Sequence, residues 1–117
     1  MIDFSKAPCI YWSNTTKISY LQRRIIIYSI MYYEYDKSYI SDAQYDSISR
    51  QLVMLQKQAS KEEVRASTYY YAMHDFDGTT GFDIPSRLTK EDRKHLDKII
   101  VMINEQYERD MKKGKKK

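Results

Sequence analysis

Two apolar stripes of helical period flank a gap of only five residues, and that gap constrains the fold more than any other feature of the chain. Ile18, Leu21, Ile25, Tyr28 and Tyr32 recur at three- and four-residue steps, and so do Tyr45, Ile48, Leu52 and Leu55. The spacing predicts one helix over residues 17–35, which Asn14, Thr15 or Thr16 can cap, and a second over 42–59. Ser41 with Gln44 three residues on has the pattern of a capping box, which fixes where the second helix starts. The connection from Asp36 to Ile40 is too short to let the second helix do anything but fold back along the first.

The tip of that hairpin is chemically unusual. Tyr32 to Asp46 holds five tyrosines and four acids in fifteen residues. The predicted turn sets Tyr32 and Tyr33, at the end of helix one, beside Asp42, Tyr45 and Asp46, at the start of helix two. The last three stand at i, i+3 and i+4 and so share a face. Aromatic rings with carboxylates suit a flat cation that carries hydroxyls: rings stack on the cation, and acids attract its charge and accept from the hydroxyls. A plainer reading uses the same residues. Tyr32 packs in the hairpin core, and Asp42 and Asp46 favour a helix N-terminus through its dipole.

Ile40-Ser41-Asp42-Ala43-Gln44-Tyr45-Asp46, preceded by Tyr32-Tyr33 and Asp36, resembles the small N-terminal domain, domain Ia, of bacterial NAD-dependent DNA ligases. That family carries a Tyr-Tyr or Tyr-His pair, an Asp three residues later, then Ile-Ser/Pro-Asp-Ala-Glu-Tyr-Asp. Gln44 stands where Glu is common. The resemblance covers roughly residues 17–58, about a third of the chain. It implies a helical hairpin that grips the nicotinamide mononucleotide (NMN) half of NAD through Tyr32, Tyr33, Asp42, Tyr45 and Asp46.

It does not extend to catalysis. The ligase signature is Lys-x-Asp-Gly, whose lysine takes the adenylate. The one Asp-Gly here is Asp77-Gly78, and Asp75 stands two residues before Asp77. A carboxylate cannot form the phosphoramide that a neutral amine forms. With 117 residues there is no room for a nucleotidyltransferase core. The expectation is a stand-alone, non-catalytic relative of the domain, similar to short proteins found among phage genes.

Beyond residue 59, Ser60 with Glu63 repeats the capping-box pattern. Residues 67–73, Ser-Thr-Tyr-Tyr-Tyr-Ala-Met, fit either a strand or a helix. Helix is preferred because the rest of the chain is helical. Tyr69, Tyr70 and Tyr71 cannot all face one core, so one should be exposed. Residues 74–88 hold two of the three glycines and read as a loop, with a turn pinned by Phe76 and Phe82. Its acids lack the order of an EF-hand, and His74 beside Asp75 has no nucleophile to serve. Thr89 with Asp92 starts a last helix over 90–111, with Leu96, Ile99, Ile100, Ile103 and Tyr107 on its buried side. The expected fold is mainly α, a single helical domain over 1–111: the hairpin (17–58), the loop (74–88) and a long C-terminal helix (90–111).

Hydrophobic residues make up 42% and charged residues 31%, a globular balance. One cysteine, Cys9, excludes an internal disulfide and fits a reducing, cytoplasmic setting. The apolar run Ile25 to Tyr28 is far too short to span a membrane, and the N-terminus lacks a secretory pattern. The net charge of +4 belongs to the tail: without its five lysines, 15 basic residues face 16 acidic ones. That tail, residues 112–117, is either a solvated terminus or a weak nucleic-acid contact. No metal-ligand spacing is present. The functional expectation is an NMN- or NAD-binding module. The alternative is a protein-interaction module, such as a phage-type modulator of a host enzyme or defence system, its tyrosines serving a protein partner.

Overall fold

The computed structural model describes residues 12–36, 40–76, 78 and 83–115, with side chains described as far as residue 110. Cys9, Phe82 and the end of the lysine tail lie outside the described residues. The chain divides into two compact units at Arg87/Leu88. The first holds α1 (Asn14–Glu34), α2 (Asp42–Gln58), α3 (Lys61–Arg65), α4 (Tyr70–Met73) and α5 (Ile84–Arg87), and the second holds α6 (Lys90–Lys115). No strand occurs among the described residues, and the fold is mainly α.

α1 is the centre of the first unit, in contact with α2, α3 and α5. Ile18, Leu21, Ile25 and Tyr28 are buried as the period required. So are Ile26, Ile27, Ile30 and Met31, because partners approach α1 from more than one side. The cap is Ser13, one residue before the three candidates: its Oγ accepts from the Thr16 N–H at 3.2 Å. Tyr32 departs from expectation. Although it continues the stripe, it is 57% exposed, because the period marks which residues share a face and not how far along the helix that face is covered.

α1 also carries a polar stripe, invisible in the apolar pattern. Thr15, Ser19 and Gln22 stand at i, i+4 and i+7, so they align along one side of the helix. Thr15 donates to the Glu63 carbonyl at 2.8 Å, and Ser19 Oγ accepts from the Thr68 N–H at 3.0 Å. Gln22 is fully buried. Its Nε2 donates to Ser67 Oγ at 3.0 Å, and its Oε1 accepts from the Tyr69 N–H at 3.1 Å. Ser67 in turn donates to the Val64 carbonyl at 2.6 Å. The α3–α4 segment is thus held to α1 through its backbone polar groups, which need partners once buried. This explains how two helices as short as α3 and α4 persist, since neither is long enough to be stable alone.

Both capping boxes form. Gln44 N–H donates to Ser41 Oγ at 3.1 Å and Ser41 N–H to Gln44 Oε1 at 2.8 Å. Ser60 and Glu63 exchange the same pair at 3.1 and 2.9 Å. Of the run 67–73, residues 70–73 form α4 and the three before them are a turn. Tyr69 is buried and Tyr71 exposed. Within the span expected to be a loop, residues 84–87 form α5, which packs Ile84 inward. Arg87 holds this helix to the end of α4: it pairs with Asp75 and donates to the Ala72 carbonyl at 3.3 Å. The guanidinium beside it keeps the Asp75 carboxyl below its ordinary value.

α6, described by itself, starts where Thr89 predicts, the Asp92 N–H reaching Thr89 Oγ1 at 3.2 Å. It runs to Lys115, into the span expected to be tail. Leu96 and Ile100 are buried, whereas Tyr107, expected on the same buried side, is 41% exposed.

Removing the Gln22 amide should leave the Tyr69 N–H buried without an acceptor. Gln22→Ala is expected to cost about 1–3 kcal/mol in urea unfolding and to speed hydrogen exchange at Tyr69. Gln58→Ala, on the exposed face of α2, should stay within about 0.5 kcal/mol of the parent.

Candidate functional site

The tip of the α1–α2 hairpin forms because both helices end sharply there. α1 closes with the Tyr35 N–H on the Met31 carbonyl at 3.2 Å. Asp36 then takes the left-handed conformation, φ 54°, which turns the chain out of the helix and which aspartate tolerates better than most residues. The Ser41 box starts α2. Between these two stops, residues 37–39 lie outside the described residues.

Each of the five predicted residues has a distinct setting. Tyr32 and Tyr33 stand on the surface, 57% and 42% exposed, with ring centroids 4.9 Å apart and planes at 90°. This edge-to-face geometry is favourable for aromatic pairs and leaves ring surface open to solvent. Asp42 and Asp46 are exposed in the first turns of α2, and neither meets a cation among the described residues. The positive end of the α2 dipole stabilises Asp42, the acid in its first turn. Tyr45 alone turns inward. It is half-buried, and its hydroxyl lies 3.4 Å from Ser29 Oγ across the hairpin.

Tyr33 and Asp46 are close enough to bear on the Tyr45 phenol. Burial pushes that phenol above its ordinary pKa and the Ser29 hydrogen bond opposes the shift, while the charges of Tyr33 and Asp46 add to it. The structure therefore groups Tyr33, Tyr45 and Asp46, with Tyr32 edge-on to Tyr33. Asp42 shares the helical face of Tyr45 and Asp46 but has no contact with the rings that would fix its orientation.

Ser29 is the member that sequence reasoning missed. Its signal was a small polar residue inside an isoleucine-rich stretch, which is 2% exposed in the fold and so needs a partner. It finds one in the Tyr45 hydroxyl.

Other chemistry weighed from the sequence has structural occupations instead. Asp75 and Asp83 both face Arg87, Asp83 at 3.6 Å. The His74 ring lies against Tyr70, centroids 5.3 Å apart. No group of three or more His, Cys, Asp or Glu side chains fit to hold a metal occurs among the described residues. No helix among them is long and apolar enough to cross a membrane.

Residues 13–67, just under half the chain, match the family of the DNA ligase-like, N-terminal NAD+-binding domain. The match begins at the Ser13 cap, takes in α1 to α3, and ends at Ser67, the residue that Gln22 holds. No curated protein and no solved structure matches.

The raised Tyr45 pKa has a measurable consequence. The folded state holds the phenolic proton more tightly than the unfolded chain does. Stability should therefore be fully present below the ordinary tyrosine value near 10 and fall as pH rises through the raised one. Carbon-13 NMR of labelled tyrosine should show Tyr45 ionising above about 10. Tyr45→Phe should flatten the alkaline loss of stability.

Proposed function

We propose that this protein is a non-catalytic nucleotide-binding module that takes the NMN half of NAD at the hairpin tip. One observation carries the reading. Two surface tyrosine rings and two exposed carboxylates that meet no cation among the described residues stand with an anchored tyrosine at the end of a hairpin whose sequence matches an NAD+-binding domain. Nicotinamide in NMN is a flat cation, to which the faces of Tyr32 and Tyr33 are suited. Asp42 and Asp46 supply attraction and accept from ribose hydroxyls. The Tyr45 hydroxyl, held toward Ser29, gives a fixed edge against which the ligand is oriented.

The residues fit the ligand's chemistry but offer one side of a site. Tyr32, Tyr33, Asp42 and Asp46 are all on the surface, so the ligand keeps water on its far side and the attraction stays modest. A protein partner that supplies the opposite wall completes the site. The exposed Tyr32, Tyr33 and Tyr71 also favour a second reading, in which a protein such as a host enzyme is the sole ligand. The role is non-enzymatic because Asp75-Phe76-Asp77-Gly78 lacks the lysine that ligase chemistry needs, and its Asp75 is engaged by Arg87.

Calorimetry with NMN and with NAD at millimolar concentration tests the first reading. NMN should bind the parent, and Asp42→Asn with Asp46→Asn should weaken it about tenfold while leaving the circular dichroism unchanged. No heat with either nucleotide and no shifted tyrosine NMR signal would exclude nucleotide binding by the free chain. Capture of a host protein equally well with and without NAD would then favour the second reading.

A further inference from the structure

The far end of α2 has the opposite chemistry. A depression of about 650 Å³ opens there among α2, α3 and α4. Gln56 and Lys57 line it from the last turn of α2, Lys61 and Arg65 from α3, and Tyr70 and His74 from α4. Lys61 and Arg65 stand at i and i+4, on one face of their helix. Among the described residues, no carboxylate lines the depression. Lys57, Lys61 and Arg65 make no ion pair with any described residue. Of the two acids on α3, Glu62 is exposed and does not line the depression, and Glu63 is committed to the Ser60 N–H in its capping box, which keeps its carboxyl below the ordinary value.

Three cations on one concave surface repel one another, and a bound anion would relieve the repulsion. Two further features point the same way. Gln56 Oε1 is buried without a hydrogen-bond partner. Turning that amide over exchanges oxygen for NH2 and converts an orphan acceptor into a donor for an anion. The Tyr70 and His74 rings lie tilted against each other at 35°, adding O–H and N–H donors beside the cations.

We infer that this depression is a second binding site, one that takes a phosphate ester. Arg65 offers the planar fork that matches phosphoryl oxygens, and Lys57 and Lys61 act as point charges. A volume of about 650 Å³ exceeds what a bare phosphate fills, so the group attached to the phosphorus lies within the depression too. At about 1.5 Å of rise per residue, Lys57 is roughly 20 Å along α2 from Asp42 and Tyr45. The site is therefore independent of the tip. The ester belongs either to a free nucleotide or to a nucleic-acid backbone; both present the same oxyanion.

The test uses the full chain and amide NMR at low salt, with inorganic phosphate, AMP and short single-stranded DNA as separate probes. AMP should produce saturable shifts at Lys57, Lys61, Arg65, Tyr70 and His74, phosphate weaker shifts at the same amides, and matched sodium chloride none. Lys57→Glu with Arg65→Glu should weaken AMP at least tenfold, and the milder Lys57→Gln with Arg65→Gln severalfold, with circular dichroism unchanged. Deleting residues 112–117 should leave the response intact. If DNA shifts these amides more strongly than AMP, and increasingly as salt falls, the backbone is the source; if AMP dominates, the source is a free nucleotide. Shifts that are scattered, that fail to saturate, that survive charge reversal, or that vanish with the tail deletion would overturn the assignment. None of these outcomes depends on NMN binding, because Asp42→Asn with Asp46→Asn should leave the AMP response unchanged.

Discussion

Everything in the first unit hangs on α1, and α1 works because it offers two kinds of surface at once. One side is isoleucine and leucine and joins α2 by burial, the dominant favourable term in folding. The other is the Thr15–Ser19–Gln22 stripe, which meets the α3–α4 segment through that segment's own backbone groups. The second contact is the more specific. Apolar faces tolerate sliding, but the fully buried Gln22 amide must satisfy both its donor and its acceptor, so it admits one register. That register places α3 and α4 beside the end of α2, where the basic depression opens.

The same anchoring organises the other end. α1 and α2 stop within a few residues of each other, through the left-handed Asp36 and the Ser41–Gln44 box. Tyr45 is held across the hairpin by Ser29, while its neighbours on the rim stay on the surface. α2 thus runs from an aromatic and acidic end to a basic one. Its dipole favours both placements, anions at the N-terminus and cations at the C-terminus. A helix with opposite chemistry at its two ends presents two separate surfaces while burying the narrow stripe of Ile48, Ser49 and Leu52 between them.

Helix period and caps carried most of the fold because both are local. Ser41 with Gln44, Ser60 with Glu63, and Thr89 with Asp92 mark three helix starts, and each forms as its spacing requires. Tyr32 and Tyr107 show the limit. A three- and four-residue rhythm reveals which side chains share a face, but not how far along the helix a partner covers it. α5 was missed for a related reason: four residues of helix have no period to read, and what holds them is the long-range attachment of Arg87 to Asp75 and Ala72. The candidate site was equally divided. Its five predicted residues stood in one short stretch, whereas Ser29, whose hydroxyl meets that of Tyr45, lies on the opposite helix among isoleucines.

By itself the sequence determined the helical class, the hairpin, its capped ends and the identity of the tyrosines and aspartates at its tip, because each of these depends on neighbours within a few residues. Tertiary structure alone decided which tyrosine turns inward and which face solvent. It also decided that α3 and α4 are held by a buried glutamine, and that Lys57, Lys61, Arg65, Tyr70 and His74 line one depression. Those outcomes depend on what each helix meets across space, and meetings between distant segments leave no periodic trace in the chain.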